Sequence, residues 1–295
     1  MSNYSIKDLE VLSGIKAHTL RIWEQRYHIM APSRTDTNIR KYTGEDLKLI
    51  LNISLLNDNG YKISKIASMS KEDIKNKILD ITDRNQKYSD QIQALTLSMI
   101  DIDEERFEKI MAKNILQLGL EKTMMHIIYP FLNKVGVMWQ TGAISPSQEH
   151  FMSNLIRQKV IVAIDGQYFA AKENAPKFML YLAEGELHEL GLLFSHYIIK
   201  SRQFKSIYLG QWLPFNDLIE IYKAHRPEYI VTVITSLPVS VDLQSYVLKL
   251  GESFPDSKVL ISGYQVMGQD LTLKSNTQIL NKVEDLIEIL ESLQA

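Results

Sequence analysis

The chain has 295 residues, with 33 Lys and Arg against 35 Asp and Glu and 45% hydrophobic residues. That is the make-up of a globular protein of two or three domains, and its net charge of −2 gives no global pull toward nucleic acid or an anionic membrane. Cysteine is absent, which excludes a disulfide framework and any thiolate-held zinc or iron–sulfur centre. The N-terminus lacks an apolar signal core and no run of about 18 uncharged apolar residues occurs, so a cytoplasmic protein without membrane contact is expected.

Residues 1–75 read as short helices with tight punctuation. Ser5 is placed to cap a helix through Val11, with Asp8 as the returning acid, and Ser13-Gly14 ends it. Ala17–Tyr27 resumes as a second helix, giving a helix-turn-helix. Residues 31–43 are polar and turn-rich, like a small β-wing, and a helix over 44–57 carries Leu47, Ile50, Leu51 and Leu55 on one face before Asn59-Gly60 stops it. A fourth helix begins at Ile63. Between Lys16 and Lys41 lie six bases against two acids, a local balance of +4 in a nearly neutral chain, which marks a module that faces nucleic acid.

Residues 76–174 open on a polar stretch, 76–90, that reads as a hinge. Apolar residues then recur at helical spacing through Leu95, Phe107, Ile110, Leu118, Ile127, Phe131 and Val135, and Gly142 and Pro146 mark the turn before the last long helix. Four helices in a bundle are expected. Residues 175–295 alternate strands at 178–182, 206–209, 229–234 and 258–261 with helices at 189–201, 215–224, 241–252 and 282–294. That order predicts a doubly wound parallel sheet. The fold class is therefore multidomain α plus α/β.

Thr19-Leu20-Arg21-Ile22-Trp23-Glu24 with Arg26-Tyr27, then Pro32, Arg34-Thr35 and Arg40-Lys41-Tyr42, resemble the MerR family of winged-helix regulators over nearly all of residues 4–70. The resemblance implies double-stranded operator DNA as partner. His18, Thr19 and Arg21 would enter the major groove, and Arg34, Arg40, Lys41 and Tyr42 would contact DNA from the wing. Trp23 is expected as an anchor between helix and wing rather than a base contact.

Glu186-Leu187-His188-Glu189-Leu190-Gly191 is the most informative stretch. An acid two residues before a histidine makes a metal-ligand unit in which the carboxylate holds one ring N–H and the other nitrogen binds the metal. The same hexapeptide also fits a histidine capping a helix start. Upstream, nine residues separate Trp139 from Glu149-His150, and Trp139 taken alone reads first as a buried bundle tryptophan, the acid–histidine pair as a surface feature.

Taken with the head and the sheet, these residues resemble the B12-dependent, light-responsive repressors of the MerR family, the CarH type. The resemblance implies an adenosylcobalamin-binding domain. His188 is then the lower axial cobalt ligand, Glu186 its orienting acid and Gly191 the point of backbone approach. Trp139 covers the upper axial position, Glu149 bonds the adenosyl group and His150 lies close by. Near the nucleotide tail, the pattern's serine is replaced by Val233, with Thr235 two residues on, and its glycine pair by Ser262-Gly263. The histidine that follows the tryptophan in the light-responsive type is Gln140 here, and glutamine is a poor cobalt ligand. A homo-oligomer, dimer or tetramer, is implied, with no enzymatic activity. In the family, the dark tetramer grips its operator and light disperses it. The rival expectations are a regulator that has lost B12 and uses its C-terminal domains for oligomerisation or another ligand, and a corrinoid carrier for methyl transfer.

Overall fold

The computed structural model describes residues 4–35, 38–58, 61–84, 88–140, 143–167, 171–236 and 241–294. The chain forms two compact units, 1–153 and 154–295, with the boundary inside one helix.

The first unit begins with the expected helix-turn-helix. Helix α1 (Ile6–Ser13) has a full capping box between Ser5 and Asp8, and Gly14 closes it in the left-handed conformation. Helix α2 (Ala17–Tyr27) follows, its first N–H bonded to the Glu10 carboxylate at 3.0 Å. Strands β1 (Ser33–Arg34) and β2 (Arg40–Lys41) form the antiparallel wing. Helix α3 (Gly44–Asp58) buries Leu47, Ile50, Leu51 and Leu55. The expected stop at Asn59-Gly60 lies outside the described residues. Helix α4 (Ile63–Ile66) is one turn, and α5 (Lys71–Arg84) runs through most of the stretch expected as a hinge.

Helices α6 (Tyr88–Asp101), α7 (Glu104–Thr123), α8 (Tyr129–Gln140) and α9 (Pro146–Asp165) are the four helices expected. Of the turn before α9, Gly142 lies outside the described residues. Two irregularities escaped the periodicity: Gly119 breaks α7 at φ 78°, and Met124–Ile128 forms a π-helical turn leading into α8. Head and bundle are fastened within this unit. Lys48 on α3 meets Asp101 at 2.7 Å, and the Gln93 amide of α6 donates to the Leu51 carbonyl at 2.5 Å. The partly exposed ion pair contributes little alone.

The second unit is a five-stranded parallel sheet in the order β4-β3-β5-β6-β7. The strands are β3 (Lys177–Ala183), β4 (Lys205–Leu213), β5 (Tyr229–Val233), β6 (Lys258–Ser262) and β7 (Thr277–Ile279). All but the first residue of β3 are buried, because a central parallel strand is covered on both faces. Helices α11 (Phe215–His225) and α12 (Leu243–Ser253) pack on one face through Leu218, Tyr222, Val247 and Leu250. Helices α10 (Leu190–Ser201) and α13 (Val283–Ser292) pack together on the chain of connections that covers the other. The edge strand β4 is irregular, with register shifts against β3 and positive φ at Gly210 and Trp212. Such kinking is a common guard against edge-to-edge pairing. Strand β7, three residues long, was not among the expected strands.

His196 on α10 stacks on Tyr208 of β4 with ring centres 4.9 Å apart, and its Nε2 lies 3.0 Å from Ser206 Oγ. Burial, with a smaller contribution from Lys200, pulls its pKa from 6.5 to about 4. Between those values the unfolded ring takes a proton that the folded ring refuses, so stability falls as pH drops through the window. Urea midpoints at pH 7 and pH 5 should therefore differ more in the wild type than in His196→Gln.

Candidate functional site

On the head, the residues expected to meet DNA separate into two groups. His18 and Arg21 on α2 and Arg34 and Lys41 on the wing are exposed, and Thr19 is half-buried with its hydroxyl 3.3 Å from His18 Nε2. Tyr42 is the correction: it is fully buried and cannot touch a phosphate. Its hydroxyl donates to Glu24 at 3.3 Å, and burial first, then the Glu24 charge, push its pKa up to about 12. Arg40 is half-buried, its Nε donating to both Glu24 oxygens at 3.2 and 3.1 Å. Glu24 thus ties α2 to the wing through two residues assigned from sequence to DNA. Trp23 is buried at 8% exposure.

In the second unit the loop after β3 stands at the point where the chain leaves one face of the sheet for the other, since β3 lies between β4 and β5. The crevice beyond the strand ends at such a switch point is where open α/β sheets bind ligands. Glu186, 1% exposed, fills it from below. Its Oε2 accepts the backbone N–H groups of Thr235 at 2.7 Å and Ser236 at 2.6 Å. Its Oε1 accepts the His188 N–H at 2.9 Å and His188 Nδ1–H at 2.6 Å, with Ser236 Oγ at 3.4 Å. Burial works to raise the carboxyl pKa, but the bonds from the His188 ring and from three backbone N–H groups prevail and hold it at about 2.

The His188 side chain is 63% exposed. With Nδ1 turned to the Glu186 carboxylate, Nε2 is the ring nitrogen on the side away from it. The helix-cap alternative does not hold, because Glu189 occupies the N-cap of α10 and His188 bonds Glu186 instead. Glu189 is itself engaged: Arg157 of α9 donates to one oxygen and Tyr208 to the other at 3.2 Å. Among the described residues no three His, Asp or Glu gather to hold a metal.

The neighbouring positions are placed as follows. Gly191 lies in the first turn of α10, and a Cβ there would stand 3.7 Å from both Val233 methyls, an ordinary contact. Val233 is buried at 8% exposure. Thr235 reaches the site through its backbone, as does Ser236, which was not singled out from sequence. Ser262 ends β6, its carbonyl accepting Ile234 N–H at 2.7 Å. Gly263, at φ 113°, is required by the fold itself: a Cβ would fall 2.4 Å from the Ile234 oxygen.

In the first unit, Trp139 is 58% exposed at the end of α8, so it is no core tryptophan. Glu149 sits half-buried in the first turn of α9, its Oε2 2.8 Å from His150 Nδ1 and its Oε1 accepting from Ser153 Oγ. His150 is exposed.

Known proteins resemble the chain in two separate stretches. Residues 4–73 match the MerR HTH family of regulatory proteins, and residues 91–163 match the B12 binding domain family. The HTH-type transcriptional repressor CarH of Myxococcus xanthus is 24% identical over 258 residues, 85% of each chain. The repressor CarA of the same organism is 22% identical, covering 76% of this chain and 74% of its own. Among solved structures, the monomethylamine corrinoid protein of Methanosarcina barkeri superposes with a TM-score of 0.47 at 14% identity, over 73% of this chain and 96% of its own. Among the described residues no helix is long and apolar enough to cross a membrane.

Two outcomes follow from the geometry. Gly191→Ala should leave thermal unfolding unchanged or raise its midpoint, since the methyl meets only ordinary contacts and Ala gains roughly 0.5–1 kcal/mol over Gly in a helix. Lys41→Ala should weaken DNA binding evenly across sequences and flatten the log–log salt slope by about 0.9, one phosphate contact; a fluorescence-anisotropy salt series on several duplexes measures it.

Proposed function

We propose that this chain, a MerR-type helix-turn-helix regulator by its head with a B12-binding domain behind it, is a transcriptional repressor whose operator affinity is set by adenosylcobalamin. The observation that carries the reading is the Glu186–His188 pair. A buried carboxylate with a pKa near 2 fixes an exposed imidazole, Nδ1 inward, at the ligand-binding end of a doubly wound sheet. The match of residues 4–73 and 91–163 to the two families, and of most of the chain to two repressors, supports the assignment to regulation rather than to catalysis.

Functionally, the chain divides into a DNA-binding head at 1–75, a helical cap at 76–174 and a sheet domain at 175–295. His188 would supply an imidazole to the cobalt, Glu186 would orient that ring, and Gly191, Val233, Thr235, Ser262 and Gly263 would line the rest of the ligand's site. Trp139 and Glu149 serve the upper side, with His150 held against Glu149. Bound cobalamin contributes a cobalt centre that accepts one protein imidazole and a large apolar face. Binding to one assembly state stabilises that state by mass action, so the effector governs oligomer size and hence grip on operator DNA. Recognition helices presented by a homo-oligomer match repeated half-sites.

The second reading, a regulator without B12, is favoured by one observation: Val233, at a position that carries a serine in the family pattern, is packed against α10 with no hydroxyl to offer. An absorbance titration with adenosylcobalamin in darkness, run beside gel filtration, separates the two. The first reading expects a saturable red-shifted spectrum and a larger species. It also expects at least a tenfold weaker titration for His188→Ala, and weakening for Gly191→Ala without loss of stability. A flat titration with operator binding retained establishes the second. Green light before a repeat spectrum tests the light response, for which Gln140 offers no imidazole beside Trp139.

A further inference from the structure

Tyr4 is assigned above to neither ligand nor DNA, yet it touches the supports of both. Its backbone forms a two-way bridge with Tyr42 at the end of the wing, each N–H donating to the other's carbonyl at 2.9 Å. Its ring is buried at 7% exposure, and its hydroxyl donates to the Ala143 carbonyl at 2.6 Å across 139 positions of sequence. Ala143 is itself 1% exposed. Its N–H donates to the Met138 carbonyl at 2.8 Å, tying it to the end of α8 beside Trp139. Two residues on, Ser145 caps α9: its carbonyl accepts the Glu149 N–H at 3.3 Å, and its own N–H donates to Gln148 Oε1 at 3.0 Å. Ala143 therefore stands between the helix end that presents Trp139 and the helix start that presents Glu149.

On the other side of the bridge, Tyr42 donates to Glu24 of α2, and Glu24 also holds Arg40 of β2. A continuous series of buried or half-buried bonds thus runs from the Trp139–Glu149 connection through Ala143, Tyr4 and Tyr42 to the two elements that would face DNA.

We infer that Tyr4 is a positioning residue that couples the connection between Trp139 and Glu149 to the wing and recognition helix, so that occupancy of one biases the geometry of the other. The inference rests on the proposed cobalamin reading for the identity of the effector, but not for the mechanical link. A ligand settling on Trp139 or Glu149 shifts Ala143, whose carbonyl takes the Tyr4 hydroxyl with it or leaves it unpaired in the interior. Either outcome reaches the backbone bridge to Tyr42. The coupling is reciprocal, as linkage between two binding sites requires.

The test uses the full chain and a duplex selected by it from a random-sequence pool. The ratio of duplex affinities with and without adenosylcobalamin in darkness is the coupling factor. In Tyr4→Phe, affinity for the duplex alone and for cobalamin alone should each stay within about twofold of wild type, while the coupling factor falls about fivefold, the worth of one hydrogen bond. An unchanged factor overturns the inference. If the wild type binds no cobalamin, the proposed function fails and hydrogen exchange decides the link. Binding of the duplex should alter exchange of peptide 138–149 in the wild type and leave it unaltered in Tyr4→Phe. The same response in both chains, or none in the wild type, overturns the link.

Discussion

A single buried carboxylate organises the ligand end of the sheet. Glu186 comes from the loop after β3, and two of its partners, the N–H groups of Thr235 and Ser236, come from the loop after β5. Bringing an ionised group into a protein interior is costly unless its lone pairs are all answered. Here five donors answer them, three of them backbone N–H groups that cannot rotate away. The result is a fixed negative charge that presents Nδ1–H of His188 with one acceptable orientation. The ring's direction is thereby set by two strand ends, rather than by the torsional preferences of an exposed side chain.

The head has a smaller version of the same device. Glu24 accepts from Arg40 and Tyr42, so a base and a phenol that look like DNA contacts in the sequence are largely spent on joining wing to helix. This follows from the geometry of a two-residue strand: in β2, Arg40 and Lys41 point to opposite sides, and only one side faces solvent. Lys41 takes the outer side and stays exposed, whereas Arg40 and then Tyr42 turn inward. The wing of two short strands is too small to be stable alone, and the carboxylate supplies what its hydrogen-bond ladder lacks.

Much of this was legible in the sequence, for identifiable reasons. Caps such as Ser5 with Asp8, the continuous apolar runs of β3 and β5, and the acid–x–histidine unit are local patterns whose physics acts over a few residues. The parallel order followed from alternation of strand and helix. What stayed hidden depends on distant partners. The burial of Tyr42 required knowing that Glu24 lies beneath it, and the grip of Thr235 and Ser236 on Glu186 passes through backbone atoms that no residue type reveals. Gly263 was read as bordering a ligand, whereas the Ile234 carbonyl demands it first. Strand β7 is three residues long and showed no period.

Val233 bears on how much of the ligand's grip can be lost without losing the ligand. Along β5, Ile230 belongs to the core beneath α11 and α12, so by alternation Val231 and Val233 face the layer of α10. The valine methyls stand where the first turn of α10 passes, and that level of the groove is hydrocarbon. Replacing a hydroxyl there removes one hydrogen bond, worth about 1 kcal/mol net, while the methyls add apolar contact of similar size. The Glu186–His188 pair is intact in this chain, and it is the more expensive structure to maintain. The direction of the His188 ring is therefore fixed by buried bonds, whereas the exchange at Val233 alters a single contact.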